Sequence, residues 1–453
     1  MKRRNFITNL SLGAAGVGMA ASCSGTTGEN NSQATSPGSV SNTEPAYRKS
    51  IKTSFSTGEV RDPDKTVVLA LIGAGSWGTN LILNVTDIGK NVKVKYICDV
   101  DDTRGGRAMK ELSEKQDVAP LRVRDMKEVF DDEEVDAVII ATPQHWHALA
   151  TIWACQAGKD VYVEKCVSMN IPEGQKMIEA AMKYECIVQC GMQNRSAEFA
   201  KSAREYIESG ALGRIIAIHV DQFLPGPVPF NEKEDEATPD TIDWDMWLGP
   251  APEVPYNISR NKSHGYYWDY SGGLAFSNDA VHQMDLLRYI LGNPPFPESV
   301  YCTGDRYLYE DNRDIPDYLM ATYDYNDFVL TLQSGEFNPY MSKTSPEIRF
   351  GDSFPSWNQN ATKIVIYGTE KQMYVGRMGG GWQVFSKDGM LEAQQYGRFP
   401  LKAHLSNFIE CVRSRQQPNC SIIEGHQSSV LMHLANLSYR SGKKQLVFSP
   451  DYE

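Results

Sequence analysis

Apolar runs of strand length alternate with amphipathic stretches over the first half of the chain. The apolar runs lie at residues 67–72, 92–98, 135–142, 160–164 and 186–190. Between them, helical spacing of apolar positions follows residue 76 and recurs at residues 106–115, 146–157 and 173–184. This alternation predicts a parallel sheet covered on both faces, with ligands bound at the carboxyl ends of its strands.

The pattern changes after residue 191. A helical segment and one strand (residues 196–208 and 215–223) precede a long polar loop at residues 224–261. Strand patterns then recur without intervening helices at residues 298–303, 318–325, 328–333, 363–367 and 372–375, and closing helices are predicted at 401–413 and 425–439. Residues 191–453 are therefore predicted to form an α+β domain on an open, mainly antiparallel sheet.

The first strand runs into a glycine-rich turn, GAGSWG at residues 73–78. In such a turn Gly73 permits a tight bend, Gly75 leaves room for a pyrophosphate, and Gly78 lets helix and strand pack closely. The second strand ends at Asp99, at the spacing of an acid that binds a ribose 2′-hydroxyl. An ordinary strand–turn–helix also contains glycines, but the combination favours a doubly wound Rossmann domain that binds a dinucleotide over residues 62–190.

Composition narrows the classes of function. A chain of 453 residues, 41% hydrophobic and 23% charged, is typical of a globular protein of two or three domains. The net charge of -12 argues against a nucleic-acid partner. No apolar stretch reaches the ~18 to 20 residues that span a membrane. Nine cysteines without a CxxC pair provide no zinc-ligand spacing, and buried free thiols are expected.

The N-terminus has features of an export signal. Arg3 and Arg4 precede a short apolar, glycine- and alanine-rich segment, as in twin-arginine signals, and Ala21-Ser22-Cys23 resembles a lipoprotein cleavage box. Residues 24–61 are rich in Ser, Thr, Asn and Gly, which is typical of a flexible tether. We expect a signal at residues 1–23 and a protein lipid-anchored at Cys23 on the periplasmic side of a bacterial membrane. The alternative is a basic tail on a cytosolic protein.

Several motifs, in this order, resemble the Gfo/Idh/MocA oxidoreductases. They are the turn at residues 73–78, Ala141-Thr142-Pro143 with His145 and His147, Glu164-Lys165, Gly272-Gly273 ahead of His282, and the closing stretch 404–442. The resemblance implies a Rossmann domain followed by an open sheet domain, and a homo-oligomer. It also implies NAD(P)-dependent hydride transfer to or from a sugar, glycoside, inositol or related polyol. A smaller branch of the family uses the same redox step to break glycosidic bonds.

The resemblance also assigns cofactor-binding residues. They are Gly73, Gly75, Ser76, Trp77, Gly78, Asp99, Thr142, Pro143, His145, His147, Glu164, Lys165 and Gln193. Asp99 is not followed directly by a basic residue, which favours NAD over NADP, although Arg104 lies nearby. The two histidines at i,i+2 could instead suggest a metal, but no cluster of acids accompanies them and the family needs no metal. Gln193 could equally belong to a simple domain junction.

Lys165 is the first catalytic candidate. Removal of a hydride from a carbinol carbon requires a group that holds the hydroxyl and accepts its proton. On local sequence alone, a solvated lysine after a short strand is the ordinary interpretation, and the family match supports the catalytic one. Family members usually read Glu-Lys-Pro here, whereas this chain has Cys166 in place of the proline.

His282 is the second catalytic candidate, with Asn278 beside it. A helix would place both on one face at i,i+4, with Asp279 and Asp285 about one turn from the histidine, where an acid could orient the imidazole as a general acid/base. The alternative is a satisfied core histidine. The family often has aspartate where this chain has Asn278, and the side chain of Asp279 is expected to point elsewhere on the helix.

An aromatic cluster precedes the paired glycines: Tyr266, Tyr267, Trp268 and Tyr270. It could stack on a sugar ring or form ordinary core. The sequence as a whole predicts an oxidoreductase that transfers a hydride between a tightly held NAD and a sugar or glycoside. The alternatives are an NAD-dependent glycosidase, acting by oxidation, elimination, hydration and reduction, and a non-catalytic sugar-binding lipoprotein.

Overall fold

The computed structural model describes residues 55–62, 64–89, 91–224, 229–337 and 340–447. The predicted signal, Cys23 and most of the predicted tether lie outside these residues. In the described end of the tether, Thr57 is buried and its backbone carbonyl accepts a hydrogen bond from Arg415 Nε. Residue 57 therefore packs against the globular part of the chain.

The first domain alternates strands and helices as predicted. Its strands are β1 (Val67–Ile72), β2 (Val92–Cys98), β3 (Leu121–Val123), β4 (Ala137–Ile140), β5 (Asp160–Val163) and β6 (Val188–Cys190). Its helices are α1 (Ser76–Thr86), α2 (Gly106–Lys115), α3 (Met126–Phe130), α4 (His147–Gln156) and α5 (Ile171–Lys183).

All neighbouring strands of this first sheet are parallel, in the order β3-β2-β1-β4-β5-β6. The four residues of β4 and of β5 are all buried, because helices cover both faces of the sheet. The strand order reverses between β1 and β4, which opens a crevice at their carboxyl ends. The predicted doubly wound architecture is confirmed.

The second domain combines a large sheet with flanking helices. Its strands are β7 (Ile215–Phe223), β8 (Ser299–Asp305), β9 (Tyr318–Asp324), β10 (Val329–Gly335), β11 (Lys363–Gly368), β12 (Gln372–Gly376), β13 (Trp382–Phe385), β14 (Leu391–Gln395) and β15 (Gln445–Leu446). Its helices are α6 (Glu198–Glu208), α7 (Trp244–Leu248), α8 (Ile258–Lys262), α9 (Val281–Ile290), α10 (Pro346–Arg349), α11 (Leu401–Ser414) and α12 (Ile422–Ser441), and a π-helix spans Gly273–Ala280.

The nine strands follow the order β14-β13-β12-β11-β7-β10-β9-β8-β15. β7 and β10 are parallel, and the other neighbouring pairs are antiparallel. This confirms the mainly antiparallel second sheet. β13 and β14 were not predicted. Both strands are short, and β14 is largely exposed to solvent, so its sequence has no alternation of apolar and polar residues that would indicate a strand.

A buried ionic network lies in the second domain, next to its boundary with the first. Arg195 Nε donates to Asp285 Oδ1 at 2.8 Å, and Arg195 Nη2 lies 3.3 Å from Glu424 Oε2 in α12. α12 packs against α5 of the first domain and β8 of the second. These contacts hold the crevice of the first domain against the large sheet.

The eight cysteines in the described residues are free and buried, as expected of structural thiols. Within the same residues, no helix combines the length and apolar character needed to cross a bilayer.

Candidate active site

The turn between β1 and α1 forms a cradle for an anion. Gly73 has φ +90°, and a Cβ there would lie 2.7 Å from the backbone of Ala141. A Cβ on Gly78 would lie 2.0 Å from the carbonyl oxygen of Gly73, whereas one on Gly75 would meet no atom within 4 Å. Gly75 thus faces an open cleft, into which the uncapped first turn of α1 directs free N–H groups. The residues present fit the pyrophosphate of a dinucleotide.

Asp99 stands at the end of β2, beside this cradle. Its Oδ2 accepts a hydrogen bond from the Ala74 N–H at 2.7 Å, and its Oδ1 accepts one from the Asp101 N–H at 3.0 Å. Burial raises the pKa of Asp99, and the two N–H groups oppose that effect. The carboxylate is fixed at the wall of the cleft, where it fits a ribose hydroxyl.

The opposite wall of the cleft follows β4. Thr142, Pro143 and Trp146 line it, together with Ser76 and Trp77 from α1. The cleft is lined by ten of the thirteen residues predicted to bind the cofactor, and His145, His147 and Gln193 are the exceptions.

His145 and His147 lie behind that wall. His145 Nε2 is 3.0 Å from the carbonyl oxygen of Trp247, and the ring nitrogens of His147 are 2.8 and 2.9 Å from the carbonyl oxygens of Cys166 and Thr142. Burial lowers the pKa of His145 to about 3 and that of His147 to about 4. The two neutral rings therefore contact backbone carbonyl oxygens beside the strand ends. Neither histidine is among the residues that line the cleft.

Glu164 and Lys165 follow β5 and line both the cleft and a second pocket against the large sheet. Glu164 Oε1 accepts hydrogen bonds from Gln193 Nε2 at 3.3 Å and from the Tyr162 hydroxyl at 3.4 Å. Burial raises the pKa of Glu164. Gln193 lines the second pocket and not the cleft. Its hydrogen bond to Glu164 is its link to a residue that lines the cleft.

Lys165 contacts the π-helix that precedes α9. Its Nζ donates a hydrogen bond to Asn278 Oδ1 at 2.8 Å and lies 3.5 Å from Asp279 Oδ1. The expectation that Asp279 points elsewhere is wrong, because π-helical i→i+5 spacing replaces the α-helical spacing on which it rested. The peptide bond between Lys165 and Cys166 is cis. Lys165 and Asn278 are thus in direct contact.

His282 lies in the first turn of α9 and lines the second pocket with Lys165. Burial lowers its pKa well below the usual value, and the nearby Arg377 and Lys165 add to the effect. The imidazole is therefore neutral at neutral pH. Asp285 does not orient it: that carboxylate accepts hydrogen bonds from Arg195 and from the Ser428 hydroxyl at 2.7 Å.

The second pocket contains cationic groups that the sequence did not reveal as functional. Lys343, Arg349 and Arg377 line it opposite Lys165, and Asp279 lies among them. The guanidinium of Arg377 is 3.7 Å from Asp279 Oδ1. These residues come from separate segments after β10 and β12, with Arg349 at the end of α10, and they share no motif, so no local signal could have assembled them.

The aromatic cluster belongs largely to the core. Tyr267 and Tyr270 are buried and pack with Phe230, Trp244 and Trp247. None of the four predicted aromatic residues lines either the cleft or the second pocket. The core interpretation of this cluster therefore agrees with the structure.

Two family models match this chain. A model of an oxidoreductase family with an NAD-binding Rossmann fold matches residues 67–192, and a model of that family's C-terminal α/β domain matches residues 199–341. The chain belongs to the Gfo/Idh/MocA oxidoreductase family. The family accounts for the cradle at residues 73–78 and for the order of the two domains.

Two named proteins are similar to this chain. Myo-inositol 2-dehydrogenase of Thermotoga maritima is 23% identical over 377 residues, which is 82% of this chain and 95% of that protein. 2,7-Anhydro-N-acetylneuraminate hydratase of Mediterraneibacter gnavus is 22% identical over 240 residues, which is 53% of each chain. This chain therefore spans about half of the hydratase.

Solved structures share the fold. Levoglucosan dehydrogenase in complex with NADH and levoglucosan superimposes with a TM-score of 0.63 at 18% identity, covering 84% of this chain and 100% of that one. The WlbA dehydrogenase from Bordetella pertussis, in complex with NADH and UDP-GlcNAcA, has a TM-score of 0.62 at 20% identity, covering 86% of this chain and 99% of that one.

The family models cover only part of the site of this Gfo/Idh/MocA oxidoreductase. Lys165 and His282 lie within the matched residues, whereas Lys343, Arg349 and Arg377 lie beyond residue 341, where the second match ends. The cationic side of the second pocket therefore comes from a part of the chain that neither family model describes.

Proposed function

We propose that this protein transfers a hydride between NAD and a ring hydroxyl, or the corresponding ketone, of a sugar or glycoside. The observation that carries the proposal is the position of Lys165, which lines both the cofactor cleft and the second pocket. A substrate hydroxyl in that pocket would reach the lysine at the border of the two spaces. Transfer of a hydride requires that the bound cofactor and the bound substrate lie next to each other.

NAD, when bound, supplies the hydride acceptor, and its reduced form the donor. Lys165 Nζ would donate a hydrogen bond to the reacting oxygen and stabilise negative charge there. His282, neutral because of burial and of neighbouring cations, would accept the hydroxyl proton. Asn278 and Asp279 hold the lysine side chain in place.

The names of the relatives support a sugar or polyol as substrate. An inositol dehydrogenase and a levoglucosan dehydrogenase both act on compounds with several ring hydroxyls. The second pocket is rich in hydrogen-bonding side chains, among them Gln193, Thr344 and Thr362, which suits such a compound.

The first experiment is analysis of the purified, untreated protein for bound nucleotide by spectrum and mass. It would be followed by titration with methyl glucoside, glucose and a 3-keto sugar. We expect retained NAD whose absorbance near ~340 nm changes on adding one of these compounds. A protein that binds neither NAD nor NADP would contradict the proposal.

Replacement of Lys165 provides the decisive variant. We expect Lys165→Ala to lower kcat about 100-fold or more while NAD binding, followed by fluorescence titration, is retained. Lys176→Ala is the matched control, because Lys176 is an exposed residue of α5 whose side chain pairs with Glu179. Unchanged turnover in Lys165→Ala would contradict the catalytic role of Lys165. A wild type without turnover on any of the sugars would instead favour a sugar-binding protein that holds NAD without using it.

A second candidate function is redox-assisted cleavage of a glycoside. Its support is the relative named as a hydratase, since addition of water is one step of such a cycle. In that cycle, oxidation at C3 acidifies the C2 proton, the aglycone is eliminated, water adds, and the ketone is reduced. Release of nitrophenol from a nitrophenyl glycoside without net NADH would support it, and net NADH without release would favour simple oxidation.

We further propose that the protein is exported, is lipid-anchored at Cys23 and forms a homo-oligomer. The twin arginines and the Ala-Ser-Cys box support export. A captive cofactor would suit a compartment without free NAD. Labelled palmitate should be incorporated into the wild type and not into Cys23→Ala, and light scattering would give a mass above 50.6 kDa per particle. Incorporation of label into Cys23→Ala as well as the wild type would contradict the lipid anchor at Cys23. A particle mass equal to that of one chain would contradict the homo-oligomer.

A further inference from the structure

The second pocket carries more positive charge than a neutral sugar needs. Lys165, Lys343, Arg349 and Arg377 line it, against the carboxylates of Asp279 and Glu164. Burial opposes ionisation of Asp279, but Lys165 and Arg377 outweigh that effect and lower its pKa. Burial raises the pKa of Glu164, so that acid carries less charge than its exposed counterpart would. The pocket is therefore electropositive.

Arg377 is the most deeply placed of these cations. Its side chain is 9% exposed, and its Nε has no hydrogen-bond partner among the described residues. Its Nη1 lies against the sulfur of Met378 at 2.7 Å, and its Nη2 is 3.7 Å from Asp279 Oδ1, beyond hydrogen-bond distance. A buried guanidinium with unused donors is costly unless a ligand satisfies them.

Arg349, at the end of α10, also has an unused donor. Its guanidinium stacks on the ring of Phe399 at 4.5 Å, and its buried Nε likewise has no partner among the described residues. Within those residues, no carboxylate lies within ion-pair distance of Arg349 or of Lys343. The stacking fixes the plane of the guanidinium, which prepares it to bind a planar or tetrahedral oxyanion.

A third unused donor lies in the same wall. Gln222 is fully buried in β7, its Oε1 accepts from Gln283 Nε2 at 2.7 Å, and its Nε2 has no partner among the described residues. A neutral sugar hydroxyl both donates and accepts, whereas an oxyanion only accepts. The surplus of donors matches an acceptor-only group.

We propose that the substrate of this site is an acidic sugar, whose carboxylate, sulfate or phosphate group is bound by Arg349 and Arg377 while a ring hydroxyl reaches Lys165 and His282. The inference rests on the proposed function and narrows its substrate class. Both arginines lie beyond the residues matched by the family models, so family membership does not supply the assignment.

The test compares sugars that differ in one group. Methyl glucoside is paired with methyl glucuronide, and glucose with glucose 6-sulfate and glucose 6-phosphate, using the protein with its NAD. We expect at least one acidic member to have a kcat/KM about tenfold or more above its neutral partner. The best acidic member identifies the oxyanion as carboxylate, sulfate or phosphate. A neutral member that equals or exceeds every acidic partner would overturn the proposal.

Arg349→Gln tests the assigned residue, because among the described residues no hydrogen bond or ion pair joins Arg349 to Lys165 or His282. Its charge only helps to lower the pKa of His282. We expect its KM for the acidic sugar to rise about 10- to 100-fold, by a clearly larger factor than its KM for the neutral partner. Arg349→Lys should recover part of the loss. Arg398→Gln is the control, since Arg398 forms an exposed ion pair with Asp352 outside the pocket. An equal effect of Arg349→Gln on both sugars would contradict the assignment.

Calorimetry of the same sugars separates this proposal from the proposed function. Tighter binding of an acidic sugar than of its neutral partner, lost in Arg349→Gln, would support the anion site even if no sugar were oxidised. Equal binding of both members by the wild type would overturn the anion site whatever the turnover.

Discussion

Asp279 is a single carboxylate between two cations. Its Oδ1 is 3.5 Å from Lys165 Nζ and 3.7 Å from Arg377 Nη2. The carboxylate helps to hold the lysine at the reacting oxygen, and it approaches the arginine only at Nη2. Asn278 shares the first task, because its amide oxygen accepts a hydrogen bond from the same Nζ.

We predict that Asp279→Asn lowers kcat about tenfold or more, because Lys165 loses a charged partner and faces Arg377 without an intervening carboxylate. Steady-state kinetics would measure kcat of the wild type, of Asp279→Asn and of the control Asp352→Asn. The control removes an exposed acid that forms an ion pair with Arg398. Circular dichroism would verify the fold of both variants. Wild-type kcat in Asp279→Asn would show that Asn278 alone positions the lysine.

At the scale of the element, the glycine turn serves two different purposes. Gly75 borders open space in the cleft, whereas Gly78 lies where α1 crosses the backbone of Gly73. The same type of residue therefore contributes to ligand access at one position and to helix packing at the other.

We predict that Gly75→Ala weakens NAD binding about tenfold or more with thermal stability nearly unchanged, because its Cβ enters the cleft and touches no protein atom. Gly78→Ala should lower the free energy of unfolding by about 1–3 kcal/mol, because its Cβ would lie 2.0 Å from the Gly73 carbonyl oxygen.

Thermal unfolding without nucleotide and fluorescence titration with NAD would measure the two effects. Gly106→Ala is the control, since a Cβ there also meets no atom within 4 Å and Gly106 does not line the cleft. Equal stability of the Gly75 and Gly78 variants would refute the division of roles between these glycines.

At the scale of the whole molecule, neutral histidines are buried in both domains. Burial lowers the pKa of each of them to about 3 or 4, and they are His145, His147, His404, His426 and His433. In the unfolded chain a histidine titrates near 6.5. Because the folded pKa is the lower one, the stability that each contributes is present above pH ~6.5 and is lost as the pH falls.

We predict that His433→Gln destabilises the protein less at pH 5 than at pH 7, by about 2 kcal/mol, because the wild type alone then has an extra proton to bind on unfolding. Urea unfolding of both proteins at the two pH values gives the difference directly. The comparison of the two proteins also removes the contribution of titrating groups that both contain. One such group is Glu173, whose pKa burial raises to about 7 and whose effect on stability has the opposite dependence on pH. An identical cost at both pH values would contradict a neutral, buried His433.

The sequence alone was sufficient for features that depend on neighbouring residues. The apolar runs of β1, β4 and β5, the glycine turn and the position of Asp99 are all local patterns, and each is found in the structure as predicted. The two-domain order and the two sheet types followed from the same periodicity, because strands separated by helices pair in parallel and strands joined by short loops pair antiparallel.

The tertiary structure alone decided which side chains face the site. The π-helix directs Asp279 toward Lys165, and His145 and His147 do not line the cleft. The segments after β10 and β12 place Arg349 and Arg377 in the second pocket. Side-chain direction and loop position depend on packing between residues far apart in the chain. Periodicity and motif spacing record only near neighbours, so they carry no information on which distant groups meet.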